Sequence, residues 1–371
     1  MINVYKHLGY YSSGNHLTRH DAVNKIEAIE LAKNCNGWIK YHFNDEIYSS
    51  YNWRIEPTPS IIELYRDRAL KLREKYDYLV IMYSGGFDSH NLLMSFLANN
   101  IPVDEICYVY HGDRDPDPDS FLNQEWRVQT LPRIQELQLT YSFAVRKLDI
   151  SQLSLDLFTQ YYKDWIYTSS SMAPNVVTIG NLTTLVPDWI KLQEKGKTLA
   201  MVTGIDKPRL RYQNNNFIFN FYDLAGVSRP TFPGCNLEWF YWTPDLPELV
   251  IKQCHIVKNF WSAHINQLQT FPNNKLNKDL GWVLDSELAH VQRLIYPYCG
   301  AGNFYTRRPL NLLSGSDGRD HWIYNSNTDY AKKLADIVSS LNQTIGVEYR
   351  NNPMNIERGL VVPLSQDYIL N

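Results

Sequence analysis

The chain of 371 residues carries a formal net charge of -3 and has a sequence pI near 6.4. This balance argues against a protein built mainly to hold nucleic acid by charge, so a nucleic-acid substrate is not indicated. The length allows one large domain or two modest ones with a substantial buried core.

Cysteine usage and hydropathy restrict the setting of the protein. The five cysteines are widely spaced and form no Cys-x-x-Cys pair, which favours reduced thiols and argues against a zinc ribbon or a cysteine-bound iron–sulfur cluster. The first residues lack an apolar signal core, and no apolar run reaches the length of a bilayer span. We therefore expect a soluble, cytoplasmic protein without a membrane partner.

The first part of the chain, residues 1–58, reads as a small α/β segment. Apolar residues at helical spacing predict a helix over Asp21–Asn34, and a strand is expected around Trp38–Phe43. This segment precedes the stretch that carries the strongest functional signal.

A capping-box pattern at Ser60 and Glu63 predicts the next helix, which leads to Tyr76. An apolar run, Tyr78–Tyr83, follows and stops at Ser84–Ser89, whose sequence is Ser-Gly-Gly-Phe-Asp-Ser. The residues after it have the apolar spacing of a helix, so the pattern predicts a buried strand, a tight glycine turn and a helix.

A turn of this kind suits phosphate binding. Two adjacent glycines let the backbone approach an anion with no Cβ in the way, and the first N–H groups of the following helix point at that anion. Asp88 adds a carboxylate where a bound pyrophosphate would carry Mg2+. Small and acidic residues after a strand are also ordinary capping material, and on the residues alone that interpretation stays open.

Further apolar runs predict strands of a parallel sheet with helices between them. The acidic stretch Asp113–Asp119 is interpreted as a solvated, proline-stiffened loop, with attraction of Mg2+ or of a cationic substrate as the alternative. The predicted strands are Glu105–Tyr110, Tyr141–Leu148 and Thr198–Thr203, and the predicted helices are Phe121–Leu131 (or beyond Pro132 with a kink), Leu153–Trp165 and Asp188–Lys195.

A second candidate stretch follows the last of these strands. Asp206, Lys207 and Arg209 gather where a parallel strand ends, which is where open sheets bind ligands. Lys207 could neutralise pyrophosphate as a point charge, and Arg209 offers a bidentate fork. Asp206 could share a Mg2+ ion with Asp88. An ion-paired loop without a ligand is the alternative.

The last part of the chain reads as mostly helical. His255 and His264 fall on its longest helix without metal-ligand spacing, so they are interpreted as ordinary histidines. The elements predicted toward the end of the chain are a hairpin turn at Asn214–Asn216, a long helix from Asp245, helices at Ser286–Ile295 and Thr328–Leu341, and a flexible turn at Ser314–Arg319 that could contact substrate.

The hexapeptide Ser84–Ser89 resembles the Ser-Gly-Gly-x-Asp-Ser signature of the PP-loop ATP pyrophosphatases. This superfamily includes asparagine synthetase, GMP synthetase, tRNA-modifying thiolases and lysidine synthetase. The resemblance covers a small part of the chain. It implies cleavage of ATP between its α- and β-phosphates and an adenylated intermediate, with adenine resting near Tyr108–His111.

The resemblance also implies a parallel, doubly wound α/β sheet of the HUP type, like that of the adenine nucleotide alpha hydrolases. We expect three parts: an N-terminal α/β segment at 1–58, a PP-loop nucleotide-binding domain at 59–228, and a mostly helical substrate-binding region at 229–371. No glutaminase domain with an N-terminal catalytic cysteine is expected before the motif.

The expected site combines both candidate stretches, with ATP and Mg2+ as cofactors. The catalytic residues would be Asp88, Lys207 and Arg209, the nucleotide contacts would be Ser84, Gly85, Gly86, Phe87, Asp88, Ser89, Tyr110, His111, Gly204 and Lys207, and the metal ligands would be Asp88 and Asp206.

The expected activity is an AMP-forming ligase that adenylates a carbonyl or carboxylate for attack by an amine or ammonia. The cysteines are not paired as in thiolases, which favours an amine over a sulfur nucleophile. The alternatives are an enzyme similar to phosphoadenosine-phosphosulfate reductase or another sulfur-transfer enzyme, and a nucleotide-binding module without turnover. The acceptor, a small molecule or a nucleotide, and any homo-oligomer stay open.

Overall fold

The computed structural model describes residues 9–22, 28, 31, 34–35, 38–110, 125–150, 152, 186–204, 207–221, 235–278, 280–299 and 365–371. Several predicted features lie outside these residues. They are most of the helix at Asp21–Asn34, His111, the loop Asp113–Asp119, the helix Leu153–Trp165, Asp206, the turn Ser314–Arg319 and the helix Thr328–Leu341.

Strands and helices alternate through the middle of the chain. The strands are β1 (Tyr10–Gly14), β2 (Arg19–Ala22), β3 (Trp38–His42), β4 (Tyr78–Met82), β5 (Glu105–Tyr110), β6 (Ala144–Asp149), β7 (Leu199–Thr203), β8 (Leu210–Gln213), β9 (Asn216–Phe219), β10 (Cys235–Trp239), β11 (Lys275–Asn277), β12 (Gly281–Val283) and β13 (Tyr368–Ile369). The α-helices are α1 (Asp45–Tyr48), α2 (Ile61–Lys75), α3 (Phe87–Leu97), α4 (Leu131–Gln138), α5 (Pro187–Glu194), α6 (Pro247–Ala263) and α7 (Ala289–Ile295).

Five parallel strands form the central sheet, in the order β10-β7-β4-β5-β6. Leu79, Val80 and Ile81 of β4 are fully buried, as expected for a parallel sheet that is covered on both faces. Of these five strands, β4 comes first in the chain and lies in the middle of the sheet. The chain adds β5 and β6 on one side of it and then β7 and β10 on the other. The connections that follow β4 and β7 therefore diverge from one point at the carboxyl edge of the sheet, where such sheets bind ligands.

Helix α2 begins at the predicted capping box, in which Ser60 Oγ accepts a hydrogen bond from the Glu63 amide and the Glu63 carboxylate accepts one from the Ser60 amide. It packs against α3 and α6. Its buried face includes Arg68, whose guanidinium lies 2.8 Å from the Glu238 carboxylate of β10 and 3.1 Å from the Trp239 carbonyl oxygen. This helix therefore ties the edge strand β10 to the rest of the sheet.

A second sheet of antiparallel strands has the order β11-β12-β8-β9-β13. Strands β8 and β9 form the predicted hairpin, and Asn214 and Asn215 at its turn both have positive φ, as a two-residue hairpin loop requires. The Leu284 amide, just after β12, donates a 3.0 Å hydrogen bond to the Leu210 carbonyl oxygen. This bond brings the segment after β12 alongside the segment before β8.

The N-terminal sheet has the strand order β2-β1-β3. Polar side chains in contact with one another connect its strands β1 and β3 to helix α1. Ser12 Oγ lies 2.6 Å from His42 Nε2, and His42 Nδ1 lies 2.6 Å from Asp45 Oδ2. Burial would raise the pKa of Asp45, but its hydrogen bonds from His42 and the Phe43 amide lower it. Because Ser12 is only 1% exposed, these contacts form a buried connection within the N-terminal segment.

The predicted elements differ from the observed ones mainly at their ends. Strand β6 starts at Ala144 rather than Tyr141, because the Tyr141 amide still bonds to the Leu137 carbonyl oxygen at the end of α4. Helix α7 starts at Ala289 rather than Ser286. Strands β10 to β13 come from the region after residue 229, so that region contributes strands to both large sheets as well as helices.

The helix predicted to end near Leu131, or to continue beyond Pro132 with a kink, does continue beyond Pro132. It runs through a π-helical turn at Trp126–Thr130 and then continues as α4. Proline has no N–H to complete the regular ladder, so the turn before it widens, and the Leu131 amide bonds to the Trp126 carbonyl oxygen.

Candidate functional site

The turn that follows β4 is fixed by the π-helical turn beside it. The Ser84 carbonyl oxygen accepts hydrogen bonds from Thr130 Oγ1 at 2.7 Å and from Gln129 Nε2 at 3.2 Å. The Ser84 amide in turn donates to Ser89 Oγ at 3.2 Å. The turn is therefore held in place without any ligand, which is the preorganisation that an anion site needs.

The two glycines of the turn have different structural requirements. Gly85 has a φ of 75°, and a Cβ built on it would lie 3.1 Å from Thr130 Cα, so the fold itself requires glycine there. Gly86 has a φ of -75°, and a Cβ would meet nothing closer than Ser84 Oγ at 3.5 Å. Packing around residue 86 therefore does not require glycine, in contrast to residue 85.

Helix α3 begins directly after these glycines, with Gly86 as its N-cap and Asp88 in its first turn. The first helical hydrogen bond runs from the His90 amide to the Gly86 carbonyl oxygen at 2.9 Å. The N-cap residue is a glycine, which has no side chain of its own to bond the first-turn amides, and its own amide donates a 3.4 Å hydrogen bond to Ser84 Oγ. The first-turn amides of an α-helix point along its axis, and the helix dipole favours an anion in front of them.

Residues from distant parts of the chain anchor the first turn of α3. The Tyr241 hydroxyl donates a 2.6 Å hydrogen bond to the Asp88 carbonyl oxygen, and Cys299 Sγ donates one of 3.5 Å to that of Phe87. Gly204, at the end of β7, approaches so closely that a Cβ on it would lie 3.0 Å from Asp88 carbonyl atoms. The two candidate stretches of the sequence are therefore in direct contact.

The charged side chains meet at Lys207. Its Nζ lies 3.4 Å and 3.5 Å from the two carboxylate oxygens of Asp88 and 3.2 Å from Glu287 Oε1. Arg209 Nη2 lies 3.8 Å from the same Glu287 oxygen. The Lys207 side chain is only 7% exposed, whereas those of Arg209 and Glu287 are 42% and 55% exposed. A buried ammonium group with acidic partners is therefore the centre of this site.

Most of the expected site residues come together, and the others divide into two groups. The turn Ser84–Ser89, Gly204 and Lys207 form one cluster, and Arg209 reaches it through Glu287. Tyr110 lies at the end of β5, where Lys147 Nζ is 3.7 Å from its ring centre, on the side of the sheet toward β6. His111 and Asp206 are outside the described residues, so their predicted roles stay predictions.

The predicted metal site is described only in part. Within the described portion of the chain, no group of three or more His, Cys, Asp or Glu side chains is arranged to hold a metal ion. Asp88 is the one predicted metal ligand whose position is described. Its carboxylate oxygens lie 3.4 Å and 3.5 Å from Lys207 Nζ.

Sequence reasoning missed several residues that complete the site. Gln129, Thr130 and Tyr241 act through single hydrogen bonds to main-chain carbonyl oxygens, and such contacts leave no local pattern. Glu287 was included in a predicted helix, but it lies before α7 and its side chain turns to the two cations. An acidic residue near a helix start was the only available signal, and that signal is common.

Burial keeps the titratable groups behind α3 uncharged. Burial and, to a lesser extent, the nearby Arg133 guanidinium lower the pKa of His90 from 6.5 to about 3, and His90 Nδ1 lies 3.0 Å from the Tyr83 hydroxyl. Burial likewise raises the pKa of the Cys107 thiol to about 12 and that of Cys299 above its ordinary value. These thiols are therefore poor nucleophiles at neutral pH.

No protein-family model matches the chain, and a search of curated proteins finds no match either. In the part of the chain that the structure describes, no helix combines the length and the apolar character that crossing a membrane requires.

Proposed function

We propose that the chain binds ATP at the turn Ser84–Ser89 and cleaves it between the α- and β-phosphates, as an AMP-forming ligase of the PP-loop type on a HUP-like, doubly wound sheet. One observation carries this proposal. The glycine turn after β4 and the buried Lys207 after β7 meet where the strand order runs outward in both directions. That point is the usual ligand site of open parallel sheets.

Three features of the turn support phosphates as the ligand. Packing leaves room beside Gly86, α3 begins at a glycine N-cap without a capping side chain of its own, and Lys207 supplies a positive charge beside it. A helix N-terminus alone is worth about 0.3–1 kcal/mol per anionic group at exposed sites. The lysine is therefore needed to hold a polyphosphate, and its burial makes its charge more effective.

A divalent metal fits this site as a partner of the nucleotide. Asp88 would bind it together with phosphate oxygens, and Asp206 stays the second proposed ligand. When bound, Mg2+ would offset the negative charge of the leaving pyrophosphate.

The proposed reaction has two steps. A carbonyl or carboxylate oxygen of the acceptor substrate attacks the α-phosphorus, and the bond to the β-phosphate oxygen breaks as pyrophosphate leaves. An amine or ammonia then attacks the adenylated carbon, loses a proton and displaces AMP. Lys207 and Arg209 would stabilise the charge that develops on the pyrophosphate. Catalysis of this kind depends mainly on positioning, which the anchored turn supplies.

The buried thiols favour a ligase over a reductase. A phosphosulfate reductase needs a reactive cysteine. Of the four cysteines whose side chains are described, Cys35 is partly exposed, whereas Cys107, Cys254 and Cys299 are buried, and burial raises the pKa of these three. This observation supports an amine or ammonia as the nucleophile.

The test is to measure AMP and pyrophosphate release from ATP and Mg2+ with a panel of carboxylate and amide acceptors, for the wild type, Lys207→Met and Lys197→Met. Lys197 is an exposed lysine that pairs with Asp77 at the opposite end of β7, so it is a matched control. We expect release of both products by the wild type and Lys197→Met, and a loss of at least about a hundredfold in Lys207→Met. Equal activity of the two variants would overturn the proposal, and so would release of sulfite when phosphoadenosine phosphosulfate and a thiol reductant replace ATP.

A further inference from the structure

One carboxylate, that of Glu287, pairs with both cations of the site. Glu287 Oε1 lies 3.2 Å from Lys207 Nζ and 3.8 Å from Arg209 Nη2. These are the two side chains that the proposed function assigns to pyrophosphate. A carboxylate oxygen and a phosphate oxygen are equivalent partners for ammonium and guanidinium groups, so they compete for the same positions.

The backbone that carries Glu287 is fixed. The Glu287 amide donates a 2.7 Å hydrogen bond to Asp285 Oδ1, and the Asp285 amide donates one of 2.7 Å to Asn274 Oδ1. Asn273 Nδ2 adds a 3.1 Å bond to Asp285 Oδ2. The segment is therefore positioned at Lys207 by the fold of the second sheet.

The Glu287 side chain has room to move even though its backbone is fixed. It is 55% exposed, and its other oxygen accepts a 2.9 Å hydrogen bond from Gln292 Nε2. Lys207, in contrast, is 7% exposed and cannot turn away into water. If a phosphate is to reach Lys207, it is Glu287 that has to leave.

We propose that Glu287 is a placeholder for phosphate: its carboxylate neutralises Lys207 and Arg209 in the nucleotide-free protein, and the phosphates of the nucleotide replace it. This inference rests on the proposed function. The exchange keeps a second anion beside the buried lysine in both states, in addition to Asp88. Glu287 also lowers the affinity for the nucleotide, because its negative charge repels the incoming phosphates.

The proposal predicts a gain of nucleotide affinity when the negative charge of Glu287 is removed. Glu287→Gln keeps the size and the hydrogen-bonding capacity of the side chain but loses the charge. We expect it to bind Mg2+ and α,β-methylene ATP about three- to tenfold more tightly than the wild type at low ionic strength, with a smaller gain at high salt. A residue with only a structural role would weaken binding when changed.

The experiment is isothermal titration calorimetry of α,β-methylene ATP with MgCl2 into the wild type, Glu287→Gln, Glu74→Gln and Gly86→Ala. Glu74 is an exposed carboxylate near the end of α2, just before β4 begins, so its variant makes the same charge change at the opposite edge of the sheet. Circular dichroism and thermal melting show that each variant is folded.

The outcomes separate the two proposals. Tighter binding by Glu287→Gln but not by Glu74→Gln supports the placeholder. Equal or weaker binding by Glu287→Gln, with binding by the wild type that Gly86→Ala weakens, overturns the placeholder and leaves the proposed function intact. No binding by the folded wild type and Glu287→Gln, or binding unaffected by Gly86→Ala, overturns the proposed function and the placeholder with it.

Discussion

The Tyr241 hydroxyl donates a 2.6 Å hydrogen bond to the main-chain carbonyl oxygen of Asp88. Tyr241 is fully buried, and its hydroxyl also accepts a 3.2 Å hydrogen bond from Asn91 Nδ2. A residue just beyond the edge strand β10 therefore fixes the first turn of α3 from behind. The position of the Asp88 carboxylate therefore depends on a buried contact between two parts of the protein.

Tyr241→Phe is expected to lower both stability and nucleotide affinity. Removing the hydroxyl leaves the Asn91 amide without one of its partners and should cost about 1–3 kcal/mol. The matched control is Tyr65→Phe, since the buried Tyr65 hydroxyl also donates to a main-chain carbonyl oxygen, that of Ile295 at 2.5 Å. Thermal melting and calorimetry should show similar destabilisation of both variants but weaker nucleotide binding only in Tyr241→Phe. Equal nucleotide affinity of the two variants would contradict a positioning role for Tyr241.

The two glycines of the turn should respond differently to alanine. Gly85→Ala forces a left-handed backbone on alanine, which costs about 1–2 kcal/mol before any contact with Thr130 is counted. Gly86→Ala should change stability by less than about 1 kcal/mol, because its backbone is extended and its surroundings are open.

For nucleotide binding the prediction for Gly86→Ala is the sharper one. The added methyl group would stand where the phosphate approaches, so a stable Gly86→Ala protein should lose nucleotide affinity by at least about tenfold. Urea unfolding and calorimetry on the same preparations provide the two numbers. A Gly86→Ala protein that binds as well as the wild type would show that glycine is not needed for phosphate.

His90 should make the protein sensitive to mild acid. Its pKa is lowered from 6.5 to about 3 in the folded state, so the unfolded chain takes up a proton first as the pH falls. The stabilising effect of the neutral imidazole is complete above pH 6.5 and is lost as the pH falls toward 3, at about 1.4 kcal/mol per pH unit.

The variant His90→Gln isolates this contribution. At pH 7 it should be less stable than the wild type, because the packing of the imidazole is lost. At pH 5 that difference should be smaller by about 2 kcal/mol, since glutamine does not titrate. Urea unfolding at both pH values measures the change. A difference that is independent of pH would mean that folding does not shift the pKa of His90.

Arg68 should be important for stability. Its guanidinium is fully buried against Glu238. Burial alone would raise the pKa of Glu238, but Arg68 and the other partners of its carboxylate keep that pKa below the ordinary value. Arg68→Met would leave the carboxylate with its weaker partners only. We expect a loss of about 3–5 kcal/mol in urea unfolding. Lys75→Met removes a half-exposed partner of the same carboxylate, 2.9 Å away, and should cost no more than about 1 kcal/mol. Equal losses would show that burial does not set the strength of these pairs.

The elements themselves could be read from the sequence because their signals are local. The capping box at Ser60, the apolar run of β4 followed by the glycine turn, and the asparagines of the β8–β9 turn each lie within a few neighbouring residues. Hydrophobic spacing, helix capping and turn geometry are decided at that range. The buried pair of Arg68 and Glu238, in contrast, joins two distant elements and had no local signal.

The chemistry of the site was decided by the tertiary structure. The contact of Gly204 with Asp88 depends on β7 pairing beside β4, and Glu287 reaches Lys207 only because Leu284 pairs with Leu210 across the second sheet. Such contacts join residues far apart in the chain, and strand order, which no local pattern encodes, brings them together. The sequence by itself therefore determined where the glycine turn between β4 and α3 would form. The folded sheet determined which charges surround that turn, because burial and proximity exist only once the strands are in place.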